Sequence, residues 1–216
     1  MNELKPLLAI ETSGSLCSVC SYFNEEKYFE LNISLKHSHA EKLFILTDQV
    51  VALSQVNLKD YSGIAVSSGP GSFTGLRIGF SAAKGLALGA GLPIYSVPTF
   101  EALALHIANY LPEGTEFAIA VKVNTLEIYF AGFYVNSNNY IFTENLQIIT
   151  YAEFLQKSKN LPVFGNAGQK IGTERITAPP GSAIAKWARL YGKGIFDCDF
   201  IEPNYMKNFI IKEKKK

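Results

Sequence analysis

Three cysteines in 216 residues, Cys17, Cys20 and Cys198, are too few and too odd in number for a disulfide framework, which excludes the small stapled classes of secreted protein. Excess charge is missing as well. Twenty basic against nineteen acidic residues leave a formal net charge of +1, so no field draws the chain by itself onto nucleic acid or an anionic membrane. Any RNA would have to be gripped by a partner. No apolar run approaches the roughly 20 residues that span a bilayer. The opening MNELKPLLAIETS lacks the order of a signal peptide, and a reducing cytoplasm is the expected compartment, with no membrane attachment.

Complete catalytic sets are also missing. No G-x-S-x-G nucleophile elbow occurs. The loop Gly69-Pro70-Gly71-Ser72-Phe73-Thr74-Gly75 precedes a helix, but Leu76-Arg77 follow where a phosphate-binding Walker loop needs Lys-Ser/Thr, and Thr74 stands where a dinucleotide fingerprint needs glycine. A sharp strand-to-helix turn is the expectation there. His37 and His39 are two apart at a helix start, which does not put both on one face, and the one further histidine is His106. Cys17-x-x-Cys20 falls in a strand, where residues three apart face opposite sides, and no second pair completes a zinc site.

What is present is a large apolar share, 48% of residues, enough for one large domain or two small lobes. Leu7–Ile10, Leu16–Phe23 and Lys27–Ser34 read as three antiparallel strands, the last alternating Phe29, Leu31 and Ile33 with polar residues. Ser38 and Glu41 have capping-box spacing before a helix that runs to about Ser54. Its stripe of Leu43, Leu46, Val50 and Leu53 is widened by Phe44 and Val51 beyond what one sheet face requires. Ile64–Ser67, a helix capped by Ser72 or Thr74, and Pro93–Val97 form a parallel strand-helix-strand crossover.

Within that crossover helix, Gly75, Gly79, Ala83, Ala87 and Gly91 recur every fourth residue as a ridge of small side chains. Interior helical glycine costs roughly 0.5–1 kcal/mol relative to alanine, so a close neighbour is expected against the ridge. Two destinations stay open: the chain's own sheet, or a partner. Thr99 opens a further helix, and the lobe boundary is placed near residue 105, dividing the chain into 1–104 and 105–216.

The second lobe repeats the plan, with strands over Phe117–Val123, Glu127–Val135 and Tyr140–Ile149. A capping box at Thr150 and Glu153, a brief strand over Leu161–Gly165 and a helix over Gly181–Tyr191 follow. Two such α/β lobes in tandem have the order of elements of the actin-like and Hsp70-like, or ribonuclease H-like, two-lobe fold. That architecture binds ATP between lobes, with each first hairpin turn cradling phosphate. Here the first turn carries Glu11-Thr12-Ser13, but the second, Lys122-Val123-Asn124-Thr125, has no carboxylate, and Phe164-Gly165-Asn166-Ala167-Gly168 stands where an adenine-binding Gly-Gly is expected. No cofactor, no metal and no hydrolysis are expected. The lysine-rich end, Lys212-Glu213-Lys214-Lys215-Lys216, reads as a solvated terminus.

Leu8-Ala9-Ile10-Glu11-Thr12-Ser13, His37-Ser38, the string Ser68-Gly69-Pro70-Gly71-Ser72-Phe73-Thr74-Gly75-Leu76-Arg77-Ile78-Gly79, then Ala83-Lys84-Gly85-Leu86-Ala87 and Glu202-Pro203-x-Tyr205 together resemble the TsaB (YeaZ) family of bacterial proteins. The likeness is dense over residues 7 to 104 and sparse beyond. It departs at Lys122-Val123-Asn124, where the family more often has Asp-Ala-Arg. The resemblance implies a non-catalytic scaffold in the formation of N6-threonylcarbamoyladenosine at position 37 of tRNAs reading codons that begin with A. It also implies pairing with a TsaD-like transferase, joined by a TsaE-like ATPase, a homodimer when alone, and tRNA contact only through the complex. The expected partner interface comprises Leu43, Leu46 and Val50 on the first helix with Leu76, Gly79, Phe80, Ala83 and Ala87 on the second. The rival expectation from the architecture is an enzyme, a small-molecule kinase or metallopeptidase.

Overall fold

Strand β1 (Leu7–Glu11) is apolar at four of its five positions and buried at all five, because it lies mid-sheet with helices on both faces. A tight turn returns the chain as antiparallel β2 (Leu16–Tyr22), and β3 (Tyr28–Ser34) pairs beyond it as an edge. On the other side β1 runs parallel to β4 (Gly63–Gly69), which runs parallel to β5 (Ile94–Pro98), giving the order β3-β2-β1-β4-β5. These relationships come from a computed structural model that describes residues 4–35, 38–167 and 176–206.

Alternation along the strands divides the sheet's two faces. Leu8, Ile10, Cys17 and Val19 meet helices α1 (His39–Ser54) and α2 (Phe73–Ala90) on one side. Leu7, Ala9, Cys20 and Ala65 meet α3 (Thr99–Ala108) and α5 (Gly181–Tyr191) on the other. The two cysteines of Cys17-x-x-Cys20 accordingly sit on opposite faces.

A second sheet has the order β8-β7-β6-β9, built from β6 (Glu116–Lys122), β7 (Glu127–Asn136), β8 (Asn139–Thr150) and the brief β9 (Val163–Phe164). Helix α3 lays Phe100, Leu103, Ala104 and Ile107 on one face of it, against Phe117, Ile119 and Phe133. On the opposite face α4 (Tyr151–Lys157) contributes Phe154 against Ala120 and Phe130. Its N-terminus carries the expected capping box: Thr150 accepts from the Glu153 amide while Glu153 accepts from the Thr150 amide.

Two expectations need correction. Ser38 precedes α1 in helical conformation and its hydroxyl donates back to Leu35 O at 2.9 Å, so no capping box forms with Glu41. The division at residues 104/105 also assigns α5 and the tail to the second lobe, whereas both return to the first. Helix α5 buries Ile184, Ala185 and Ala188 on β1 and β2, and Glu30 of β3 fixes its start by accepting from the Ser182 amide at 2.9 Å. Ile195 then bridges to Ile94 at the open edge of β5, and Ile201 enters the core beneath α1 and α2. The physical reason is unsatisfied apolar area. Without α5, that face of β1 and β2 would lie open to water. The division likewise cuts α3, whose apolar face packs on the second sheet.

Candidate functional site

Open α/β sheets form their ligand crevice outside the carboxyl ends of neighbouring parallel strands from which the chain departs in opposite directions. Here that position lies past Glu11 of β1 and Ser67 of β4. Its lining is the chain's own. Glu11 is fully buried, and its Oε1 accepts from both the amide and the hydroxyl of Ser13, each at 2.5 Å. Oε2 has no hydrogen-bond partner. Burial pushes the Glu11 carboxyl up to about 7, against the lowering effect of the hydrogen bonds from Ser13.

The same turn interlocks with the Gly-Pro-Gly loop. Ser13 O accepts from the Ser72 amide at 2.6 Å, and Thr12 Oγ1 donates to Gly75 O at 2.8 Å. Ser72 caps α2 by accepting from the Gly75 amide, as the sequence led us to expect. The tail closes the crevice from outside, since the Asn204 amide donates to Ser68 O at 2.7 Å. Tyr205 packs against Phe73 with the rings tilted by 45° and their centroids 4.8 Å apart. The second lobe's turn is also closed on itself. Asn124 Oδ1 accepts from the Leu126 and Glu127 amides, and Asn166 Oδ1 accepts from the Lys122 amide. Both hairpin turns therefore direct donors that could cradle a phosphate at side chains of the protein itself.

The remaining candidates from the sequence are separated by the fold. His39 is buried, with Nε2 3.2 Å from Leu16 O, and His106 lies on α3, its pKa lowered by burial and then by the Lys186 charge. His37, Gly168 and the lysine-rich end lie outside the described residues. A cleft of about 520 Å³ separates the β2–β3 hairpin from the end of α3, lined by Tyr22, Tyr28, Glu30, His106, Tyr110 and Lys186. Glu30 is committed there to Ser18 and Ser182.

All eight expected interface residues are interior. Leu43, Leu46, Val50, Leu76, Phe80, Ala83 and Ala87 are each at most 4% exposed, and Gly79 is buried. A Cβ placed on Gly75 would overlap Thr12 O, and one on Gly79 would overlap the Thr12 hydroxyl. From Gly75 to Ala87 the ridge thus answers the β1 turn and the sheet core, which corrects its use as a docking edge, and only its last member, Gly91, is exposed. The open face of α2 is different: Ser81, Gly85, Leu88 and Gly89 are exposed, and a Cβ added at Gly85 or Gly89 meets no heavy atom within 4 Å among the described residues. On neighbouring α1, Phe44 and Leu53 remain 53% exposed. Ser81, Gly85 and Gly89 form a second four-residue series in the same string, so a signal for them existed. Periodicity could not say which series faces inward.

A family model described as "TsaD: tRNA N6-adenosine threonylcarbamoyltransferase" matches residues 34–200, most of the chain. The tRNA threonylcarbamoyladenosine biosynthesis protein TsaB of Haemophilus influenzae is 34% identical over 125 residues, covering 58% of this chain and 52% of that protein. Its namesake in Escherichia coli is 30% identical over 154 residues, covering 70% of this chain and 64% of the other. The aligned parts thus span about half to two thirds of these relatives' lengths. The solved structure of YeaZ from Pseudomonas aeruginosa superposes with a TM-score of 0.71 over 93% of this chain and 99% of that one, at 20% identity. At that identity the likeness shows the fold, which is the actin-like, ribonuclease H-like α/β fold. Together the family model and the curated relatives establish that the chain belongs to the TsaB (YeaZ) family, within the wider group described by the TsaD model.

Proposed function

We propose that the chain serves in the formation of N6-threonylcarbamoyladenosine at position 37 of tRNAs reading codons that begin with A, as a subunit that contributes no catalytic group. Its role is to bind and support a TsaD-like transferase, with a TsaE-like ATPase joining the pair. Alone it forms a homodimer through the same helices, and tRNA reaches it only through the complex. The observation that carries this reading is the open face of α2. Two glycines inside or near the end of a helix cost it stability, and no part of the described chain uses the space they leave. A second helix can approach such a face to backbone distance. Leu43, Leu46, Val50, Leu76, Gly79, Phe80, Ala83 and Ala87 are then the core that holds α1 and α2 in place beneath the contact, and Ser81, Gly85, Leu88 and Gly89 with Phe44 are the contact itself.

The closure of both hairpin turns supports a subunit without its own nucleotide chemistry, since the amides of Ser13, Leu126 and Glu127 already donate to side chains within the chain. Gly85→Trp tests the assignment. The variant should fold as the wild type does, because the site is open, and should lose capture of the TsaD-like transferase and support of tRNA modification in a reconstituted assay. Undiminished capture by a folded Gly85→Trp protein would remove the contact assignment. Modification that proceeds equally without the chain would remove the role.

A further inference from the structure

Glu11 is a buried acid that the scaffold reading does not use. It lies at the end of β1, on the sheet face that also carries Ala9 and Ala65, and it is completely shielded from solvent. One carboxyl oxygen is doubly hydrogen-bonded to Ser13, and the other has no partner. A neutral carboxyl tolerates this setting. An ionised one does not, because a charge with an unsatisfied oxygen in a dry interior lacks the solvation it has in water.

The turn that Glu11 holds is a junction of four parts of the molecule. Ser13 O receives the Ser72 amide at the start of α2, and the backbone at Gly71 approaches Ser13 closely. Thr12 Oγ1 binds Gly75 O within the first turn of that helix, while the Thr12 amide points to Ser67 Oγ of β4 at 3.5 Å. Gly14 touches the segment that leads into α5, where an added Cβ would stand 3.0 Å from Ala178 Cβ. Releasing Ser13 from Glu11 frees the hub of these contacts.

We propose that Glu11 is a proton-operated latch: neutral, it stays inside and clamps the β1–β2 turn to the start of α2; ionised, it favours an opened turn in which the carboxylate reaches water. Burial holds the carboxyl near neutrality, within the physiological range. The Cys17 thiol of β2, on the opposite face of the sheet, is pushed up to about 11 by burial and then by the Glu11 charge, so it stays neutral while Glu11 titrates. Ser13 in the turn donates to the carboxyl and so works against the rise that burial imposes.

The test follows the Glu11 side-chain carboxyl carbon by NMR from pH 4 to 9, alongside hydrogen exchange of the Ser13, Ser72 and Gly75 amides corrected for intrinsic chemical rates. An opening that returns the carboxyl from about 7 to 4.5 becomes about tenfold more populated between pH 6 and pH 8. The expected result is a Glu11 midpoint near 7 with about tenfold faster corrected exchange at those three amides, a change that Glu11→Gln removes. Gln keeps an oxygen for Ser13 but carries no proton to lose. A midpoint in the ordinary carboxylate range overturns the latch. So does a midpoint near 7 with exchange that does not change, and both measurements use the wild-type chain even if the Gln variant folds poorly.

Discussion

Replacing glycines along α2 separates its two faces by sign. At Gly85 and Gly89 an added methyl meets nothing within 4 Å, so alanine brings only its better helix propensity and the lower entropy of the unfolded chain. Each change should stabilise the monomer by about 0.5–1 kcal/mol, the Gly89 change at the low end because it is next to last in the helix. Together they should contribute about 1–2 kcal/mol, or about 2–8 °C in melting temperature for a chain of this size. At Gly79 the same methyl overlaps Thr12 Oγ1, the group that donates to Gly75 O. Thr12 belongs to the buried β1 turn and cannot swing away, so Gly79→Ala should destabilise by about 1–3 kcal/mol. Urea unfolding of the three variants would be read at concentrations where sedimentation shows only monomer, because a dimer through this face would add its own penalty. Equal effects at Gly79 and Gly85, or a gain at Gly79, would refute the assignment of inner and outer faces.

Further consequences are independent of that helix. Because Glu11 has its folded pKa raised from 4.5 to about 7, the stability tied to its neutral form is complete below pH 4.5 and is lost as pH rises through 7. The loss is on the order of 3 kcal/mol, visible as a falling urea midpoint that Glu11→Gln flattens. Ser13→Ala removes the hydroxyl that favours the charged form, so the Glu11 midpoint should move further up in an NMR titration. Ile201→Ala should cost about 2–4 kcal/mol in denaturant unfolding, since Ile201 is 7% exposed and sits among the residues beneath α1 and α2; a loss near zero would detach the tail from the first lobe. Thr150→Ala should cost about 1 kcal/mol through the lost cap of α4.

The order of strands and helices was written in local pattern. Alternation marked β3, the Gly-Pro-Gly turn marked the start of α2, and Thr150 with Glu153 marked α4, because each depends on neighbours only a few residues away. The Ser38 cap was legible and absent, since its hydroxyl found Leu35 O instead. The motif string from Ser68 to Gly79 carries the family likeness by itself. Its chemical meaning was not in the string.

Tertiary structure alone decided the rest. Small residues at one spacing and three at the same spacing one helix face away look alike in sequence, and only the approach of Thr12 to Gly75 and Gly79 shows that Gly75, Gly79, Ala83 and Ala87 face inward, while Gly91 stays exposed. Glu11 stands in the turn where the architecture cradles phosphate, but only the structure shows Ser13, two residues on, occupying one of its oxygens and burial holding it near neutrality. The return of α5 and Ile201 to the first sheet depended on apolar area that strands 160 residues earlier had left uncovered, a long-range demand that no local period records. The amino-acid sequence by itself determined the elements, their order and the family; the direction in which each face points was decided only by packing, because it depends on what the distant chain brings against it.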